Sequence, residues 1–191
     1  MINLSKSEFV KSAPKKEDLL LDKPQVCFLG KSNVGKSSLI NAICNNYKLV
    51  FVSKTPGHTK MLNYFLTDDR FYLVDAPGYG FFKDKAYDFE TLMLGYFEAS
   101  RWCLKRAYLL LDVRRTITDD DFATMDLLTR YHIKFTIVFT KADKLNQSMK
   151  AKAQNEIQKH LGEFTVIMTS SSKKTGLDDL RRDISTSLNS R

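Results

Sequence analysis

The chain has three cysteines, Cys27, Cys44 and Cys103, and no pair of them stands at CxxC spacing. An odd, scattered set excludes a disulfide framework and a zinc cluster, and fits a reducing compartment. No apolar run approaches the roughly 18 residues that a membrane-spanning helix needs. The first residues lack the compact apolar stretch and small-residue cleavage site of a secretory signal. Internal repeats, low-complexity blocks and Pro/Gly-rich linkers are absent too. What remains is globular material: 191 residues, 43% hydrophobic and 27% charged, too apolar for a disordered chain. A chain of this size buries about 70% of its unfolded surface, enough for one self-sufficient domain. Lys and Arg number 30 against 22 Asp and Glu, a net charge of +8 that favours anionic partners without specifying a fold.

Hydrophobic patterning predicts alternating strands and helices. Residues 1–22 are mixed and lysine-bearing and read as an arm or edge element ahead of a domain spanning 23–191. Strands are expected at 25–29, 61–67, 71–75, 107–113, 135–140 and 165–169, and helices at 36–45, 89–105, 119–131, 148–161 and 176–188. Residues 46–60 lack periodicity and read as a loop, and 76–88 as an irregular glycine- and aromatic-rich stretch. Residues 68–70 suit a hairpin between the second and third strands. The expectation is an α/β domain with a six-stranded, mostly parallel sheet, one antiparallel edge strand and helices on both faces. Ligands on such sheets sit at the carboxyl ends of the strands.

The chemistry-bearing motifs fall at those ends. Gly30-Lys31-Ser32-Asn33-Val34-Gly35-Lys36-Ser37 matches GxxxxGK[ST] between a predicted strand and a predicted helix. The glycines let backbone N–H groups close around a phosphate at a helix N-terminus, where the partial charge is positive. Lys36 suits the β- and γ-phosphates, and the Ser37 hydroxyl suits Mg²⁺. Asp75-Ala76-Pro77-Gly78 ends the third strand, where Asp75 can face Mg²⁺ through water and the Gly78 N–H can face the γ-phosphate. Thr140-Lys141-Ala142-Asp143 ends the fifth strand. A fixed carboxylate at Asp143 accepts both donors on the guanine edge and is repelled and unpaired by adenine, while the Lys141 stem packs along the base. Ser170-Ser171-Ser172, after the last strand, can set a backbone N–H, with Ser171 the best placed, against the guanine O6; a serine-rich helix cap reads equally well in isolation.

Together these elements resemble a GTPase of the translation-factor-related class, within the TrmE-Era-EngA-like superfamily. The stretch from Phe28 to Asn41, Ser53-Lys54-Thr55-Pro56-Gly57-His58-Thr59-Lys60, Asp75-Ala76-Pro77-Gly78-Tyr79-Gly80, Asp112-Val113-Arg114-Arg115 followed by Asp121, Thr140-Lys141-Ala142-Asp143 and Ser170 to Gly176 narrow the resemblance to the bacterial EngB/YsxC (YihA) family. It extends over about residues 4–188. It implies a cytoplasmic, GTP-binding switch needed for large ribosomal subunit assembly and hence for normal cell division or septation. The implied partner is the large subunit or its precursor, with rRNA and ribosomal proteins; no membrane or DNA partner is expected, and a monomer is.

By the same resemblance, Thr59 is the switch threonine, joining Ser37 and Asp75 around Mg²⁺, with Thr55 the competing choice. The nucleotide-contacting set becomes 30–38, ending on Ser38, then Gly57, His58, Thr59, Lys60 and Met61, then the Asp75, Thr140 and Ser170 motifs. Lys36, Thr59, Gly78 and Asn33 are the candidate catalytic residues. Asn33 suits K⁺ near the phosphates, or else only shapes the loop. The sequence departs from the family at Lys31 and His58, where arginines are usual. Thr140 stands where most GTPases carry Asn, which predicts looser nucleotide binding. Tyr79 replaces the glutamine that orients water in many GTPases, so slow turnover is expected, about 10⁻⁴–10⁻² s⁻¹ unaided. His58 is either a general base or a loop surface residue. Phe81, Phe82, Tyr87 and Phe89 form either a nucleotide-sensitive surface or core. Two other classes compete: an ATP-using P-loop kinase, which Asp143 argues against, and a nucleotide-dependent binding module with little turnover.

Overall fold

A computed structural model describes residues 2–52, 61–79, 89–144 and 146–189. Seven strands form one sheet: β1 (Ser7–Ala13), β2 (Gln25–Gly30), β3 (Leu62–Thr67), β4 (Phe71–Asp75), β5 (Leu104–Asp112), β6 (Phe135–Thr140) and β7 (Val166–Met168). Their order is β1-β3-β4-β2-β5-β6-β7. Among the described residues the α-helices are α1 (Lys36–Ile43), α2 (Phe89–Ser100), α3 (Asp119–Arg130), α4 (Gln147–Leu161) and α5 (Leu177–Asn189).

The sheet is buried on both faces, as a mostly parallel sheet must be. Alternation along β5 sends Ala107, Leu109 and Leu111 to one core, with Met93 and Tyr96 of α2, Met125 and Leu128 of α3 and Ile157 of α4. Tyr108 and Leu110 point the other way, to Leu39, Ile40 and Ile43 of α1 and Leu180 and Ile184 of α5. Among the described residues no helix is long and apolar enough to cross a membrane.

Two expectations are corrected. The sheet has seven strands, not six, because Ser7–Ala13 within the N-terminal arm pairs antiparallel with β3. The strand running against the parallel grain is β3, and β1 covers it, so β3 is not the edge. A register shift between Phe9 and Lys11 interrupts the new edge, a feature that discourages further strand pairing. Second, α2 stops at Ser100, not near 105. The Cys103 N–H turns back to the Ser100 carbonyl (2.9 Å), and the Gln25 N–H bonds the Cys103 carbonyl (2.7 Å), which hands Leu104 to the sheet.

Candidate functional site

The phosphate loop begins where β2 ends. Gly35 caps α1 with φ 104°, a conformation that side-chain-bearing residues rarely adopt, and Asn33 stands at φ 65°. The end of β4 lies against this loop. The Ser32 N–H donates to the Tyr79 carbonyl (3.2 Å) and the Tyr79 N–H to the Gly30 carbonyl (3.4 Å). Gly78 makes this approach possible, since a Cβ there would stand 2.8 Å from Ser32 Oγ and 3.0 Å from Ser32 Cα.

At the centre, the Lys36 ammonium pairs with Asp75 Oδ1, with the two residues 8% and 1% exposed. Asp75 Oδ2 is buried without a hydrogen-bond partner. A buried carboxylate oxygen left over beside a paired lysine fits a hydrated divalent cation, which would supply the missing donors. Ser37 lies next along α1, on the same loop-to-helix junction.

The Thr140-Lys141-Ala142-Asp143 motif is locked to the phosphate loop. Thr140 Oγ1 contacts the Val34 carbonyl (2.7 Å) and the Leu111 carbonyl (3.3 Å). Lys141 Nζ donates to the Asn33 carbonyl (3.1 Å) and to Asp112 Oδ2 (2.7 Å). Asp112, the last residue of β5, is also gripped by Arg114 through Nε (2.9 Å) and a terminal nitrogen (2.7 Å). Burial raises its pKa, but the hydrogen bonds from Arg114 and Lys141 outweigh burial and leave it at about 2. Asp143 Oδ1 accepts from Ser170 Oγ (2.6 Å), which holds its carboxyl below the ordinary range. The Ala142 N–H bonds the Thr169 carbonyl (3.0 Å), so the loops after β6 and β7 meet.

These loops enclose a cavity of about 400 Å³ lined by Gly35, Ser38, Thr140, Lys141, Asp143 and Ser170 to Ser172, together with Asn41, Tyr47 and Val52. The last three were not expected. The buried Asn41 amide clamps the chain after α1, donating to the Val50 carbonyl (2.9 Å) and accepting from the Val50 N–H (2.8 Å). That clamp holds Tyr47 at the cavity edge, with the Lys174 ammonium 5.9 Å from its ring centre. An exposed aromatic beside a non-periodic loop was the available signal.

Tyr79 is buried, and its hydroxyl donates to Asp121 Oδ1 (2.7 Å). Burial, reinforced by the Asp121 charge, pushes its pKa far up, so it stays a neutral donor. Asp121 Oδ2 takes the Thr118 N–H and hydroxyl, both at 2.8 Å, which caps α3. Lys31 Nζ reaches the same helix start, at Asp120 Oδ2 (3.0 Å) and Thr118 Oγ1 (3.4 Å). Phe89 packs against Tyr79, ring centres 6.1 Å apart, and against the core. Met61, just before β3, is exposed. The expectations on Thr55, Gly57, His58, Thr59, Lys60, Phe81, Phe82 and Tyr87 lie outside the described residues.

Residues 25–141 match the family model described as 50S ribosome-binding GTPase. The chain is 44% identical over 172 residues to "Probable GTP-binding protein EngB" of Thermotoga petrophila, covering 87% of both chains. The chain belongs to the EngB family. Among solved structures it is similar to one titled as a probable GTP-binding protein engB, with TM-score 0.72 and 22% identity over 87% of this chain and all of that one. It is also similar to Era in complex with MgGDPNP and a segment of 16S ribosomal RNA, with TM-score 0.66 and 21% identity over 90% of this chain and 59% of the other. At these identities the structural likenesses establish the fold: an α/β P-loop GTPase domain. Family membership makes the chain a GTPase, and in this EngB-family chain the phosphate loop, the Asp75 strand end and the Asp143 loop converge at one end of the sheet.

Proposed function

We propose that the chain binds GTP and GDP with Mg²⁺, hydrolyses GTP slowly as a switch, and acts in the cytoplasm on the large ribosomal subunit or its precursor, and hence on cell division. The observation that carries the nucleotide reading is the double tie of Thr140 and Lys141 to the Val34 and Asn33 carbonyls. It sets the base-reading carboxylate of Asp143 at a fixed distance from the phosphate loop, as recognition of one nucleotide requires. Thr140 thereby supplies a link to the loop where most GTPases use Asn, which offsets the looser binding that the substitution suggested.

In this reading Lys36 leaves Asp75 for the β- and γ-phosphates, and Asp75 faces the Mg²⁺ held by Ser37 and by Thr59 or Thr55. The Gly78 N–H meets the γ-phosphate, and Ser171 meets the guanine O6. Lys31, Ser32, Val34, Gly35 and Ser38 line the phosphates. The left-handed backbone of Asn33 and its carbonyl's bond to Lys141 favour loop shaping; equal turnover in K⁺ and Na⁺ would refute a cation role. The ribosomal reading rests on the family. Its test is co-sedimentation with purified ribosomal subunits in GTP, GDP and nucleotide-free states: selective binding to the large subunit in one state is expected, and no binding in any state overturns it.

A second reading, a nucleotide-dependent ribosome-binding module with little turnover, is favoured by one observation. The Tyr79 hydroxyl is committed to Asp121, so the residue after Gly78 is not available to orient water. Single-turnover hydrolysis with and without large subunits separates the two.

A further inference from the structure

We infer that the end of the sheet opposite the phosphate loop is a docking surface for single-stranded RNA, centred on Trp102; the inference deepens, and rests on, the ribosomal reading above. Trp102 is the only tryptophan in the chain and is 86% exposed. It stands in the turn between α2 and β5, with the Arg101 guanidinium over its ring, 5.8 Å from the centre. Strand β5 separates this turn from Asp112 at the nucleotide end by about 30 Å, at ~3.3 Å per residue.

The parallel topology collects the segment starts here. Lys23 precedes β2, Lys105 is the second residue of β5, Arg130 closes α3, and Lys134 precedes β6. The Lys134 carbonyl accepts from the Ala107 N–H (2.9 Å), which fixes it beside β5. Among the described residues none of these cations, nor Arg101, forms an ion pair with a carboxylate, whereas Lys31, Lys36, Arg114 and Lys141 at the other end all do. The acids at this end are outnumbered by the cations. Asp22 keeps its charge, since it accepts from the neutral Tyr72 hydroxyl (3.2 Å), while Asp68 is paired with Lys6 (3.7 Å) and Asp183 with Arg106 (3.7 Å). Asp69, before β4, and Glu163, before β7, stand to either side of the central β2, β5 and β6.

The combination of one exposed aromatic ring, a guanidinium over it and a surplus of unpaired cations at the same end of the sheet suits an unstacked nucleobase with its phosphates. A duplex offers no free base face to the ring, so single-stranded RNA is the occupant the chemistry selects.

Trp102 is its own reporter. The full chain loaded with GDP is titrated with a short oligouridine while tryptophan fluorescence is followed at low and high KCl. Quenching is expected, with affinity falling linearly in log salt, by about 0.7 of a decade per decade for each phosphate neutralised. By anisotropy of the labelled oligonucleotide, Trp102→Leu weakens binding about tenfold, the loss of one stacked base. The double substitution Lys105→Glu with Lys134→Glu weakens it further and flattens the salt slope. GDP affinity stays unchanged in both, which certifies folding. Absence of quenching, wild-type affinity in Trp102→Leu, or preference for a duplex of equal length overturns the proposal. The two readings fail separately. If both variants co-sediment with large subunits as well as wild type does, the surface is wrong and the ribosomal reading stands. If wild type binds the oligonucleotide but no subunit, the ribosomal reading falls and the surface survives.

Discussion

The two ends of the sheet treat charge in opposite ways. At the phosphate-loop end the charges of the loop and the strand ends are paired and positioned: Lys36 with Asp75, Lys141 and Arg114 with Asp112, Lys31 with Asp120. At the far end Lys105, Arg130 and Lys134 form no ion pair among the described residues, and Trp102 is exposed. Both ends belong to one scaffold and share its strands. The difference teaches that pairing here follows burial and the need for a fixed geometry, not net charge. A group that must wait at a defined place for a phosphate or a base is held by a counter-charge in the meantime. A group that serves a flexible polyanion needs no such hold, since counterion release supplies the driving force.

The comparison breaks if substitutions at the first end behave like those at the second. The largest effect is expected from Asp143→Asn: guanine nucleotide affinity falls by on the order of 10⁴-fold and preference moves to xanthosine nucleotides, as read by competition binding. Asp75→Ala leaves the Lys36 ammonium buried without a partner and should cost about 3–5 kcal/mol of nucleotide-free stability, measured by denaturant unfolding. Next comes Tyr79→Phe, which strips Asp121 Oδ1 of its donor and should cost about 1–3 kcal/mol in the same assay. Asp112 sharpens the contrast through pH. Its folded pKa of about 2 lies below the ordinary carboxylate value, so its contribution is full above pH ~4 and is lost as pH falls toward 2. Asp112→Asn should therefore destabilise the protein at pH 7 and match wild type near pH 2; an equal deficit at both would refute the clamp. The smallest effect belongs to the far end: Lys134→Glu should shift stability by less than about 0.5 kcal/mol in thermal melts.

Much of this was legible from residue order. The loop 30–37 needs glycine, lysine and serine at set spacings, because backbone approach, charge and metal ligation each demand one residue type. The boundaries of β4 and β6 could be read residue for residue, since short apolar runs ending on Asp or Thr leave little freedom. β1 is harder to read, because Thr67, the partner of its Ser7, lies 60 residues away and three of its seven residues are exposed. The end of α2 was misplaced because helical spacing continues past Ser100, while pairing of Leu104 with Gln25 decides the matter. In the sequence, Asp121 and Asp112 stand out through the family resemblance alone. Their roles appear only when Tyr79 and Lys141 arrive from elsewhere in the chain.

By itself the amino-acid order determined which groups are available to grip a phosphate, a metal and a purine, and on which strand ends they stand, since those are local matters of residue type and periodicity. Only the folded chain decided which of those groups are held in waiting and by whom. Asp75 with one oxygen unanswered, Lys141 strung between Asn33 and Asp112, and Tyr79 turned away to α3 all depend on contacts between segments distant in sequence. The physical reason is that a side chain's charge state and direction are set by its neighbours in space.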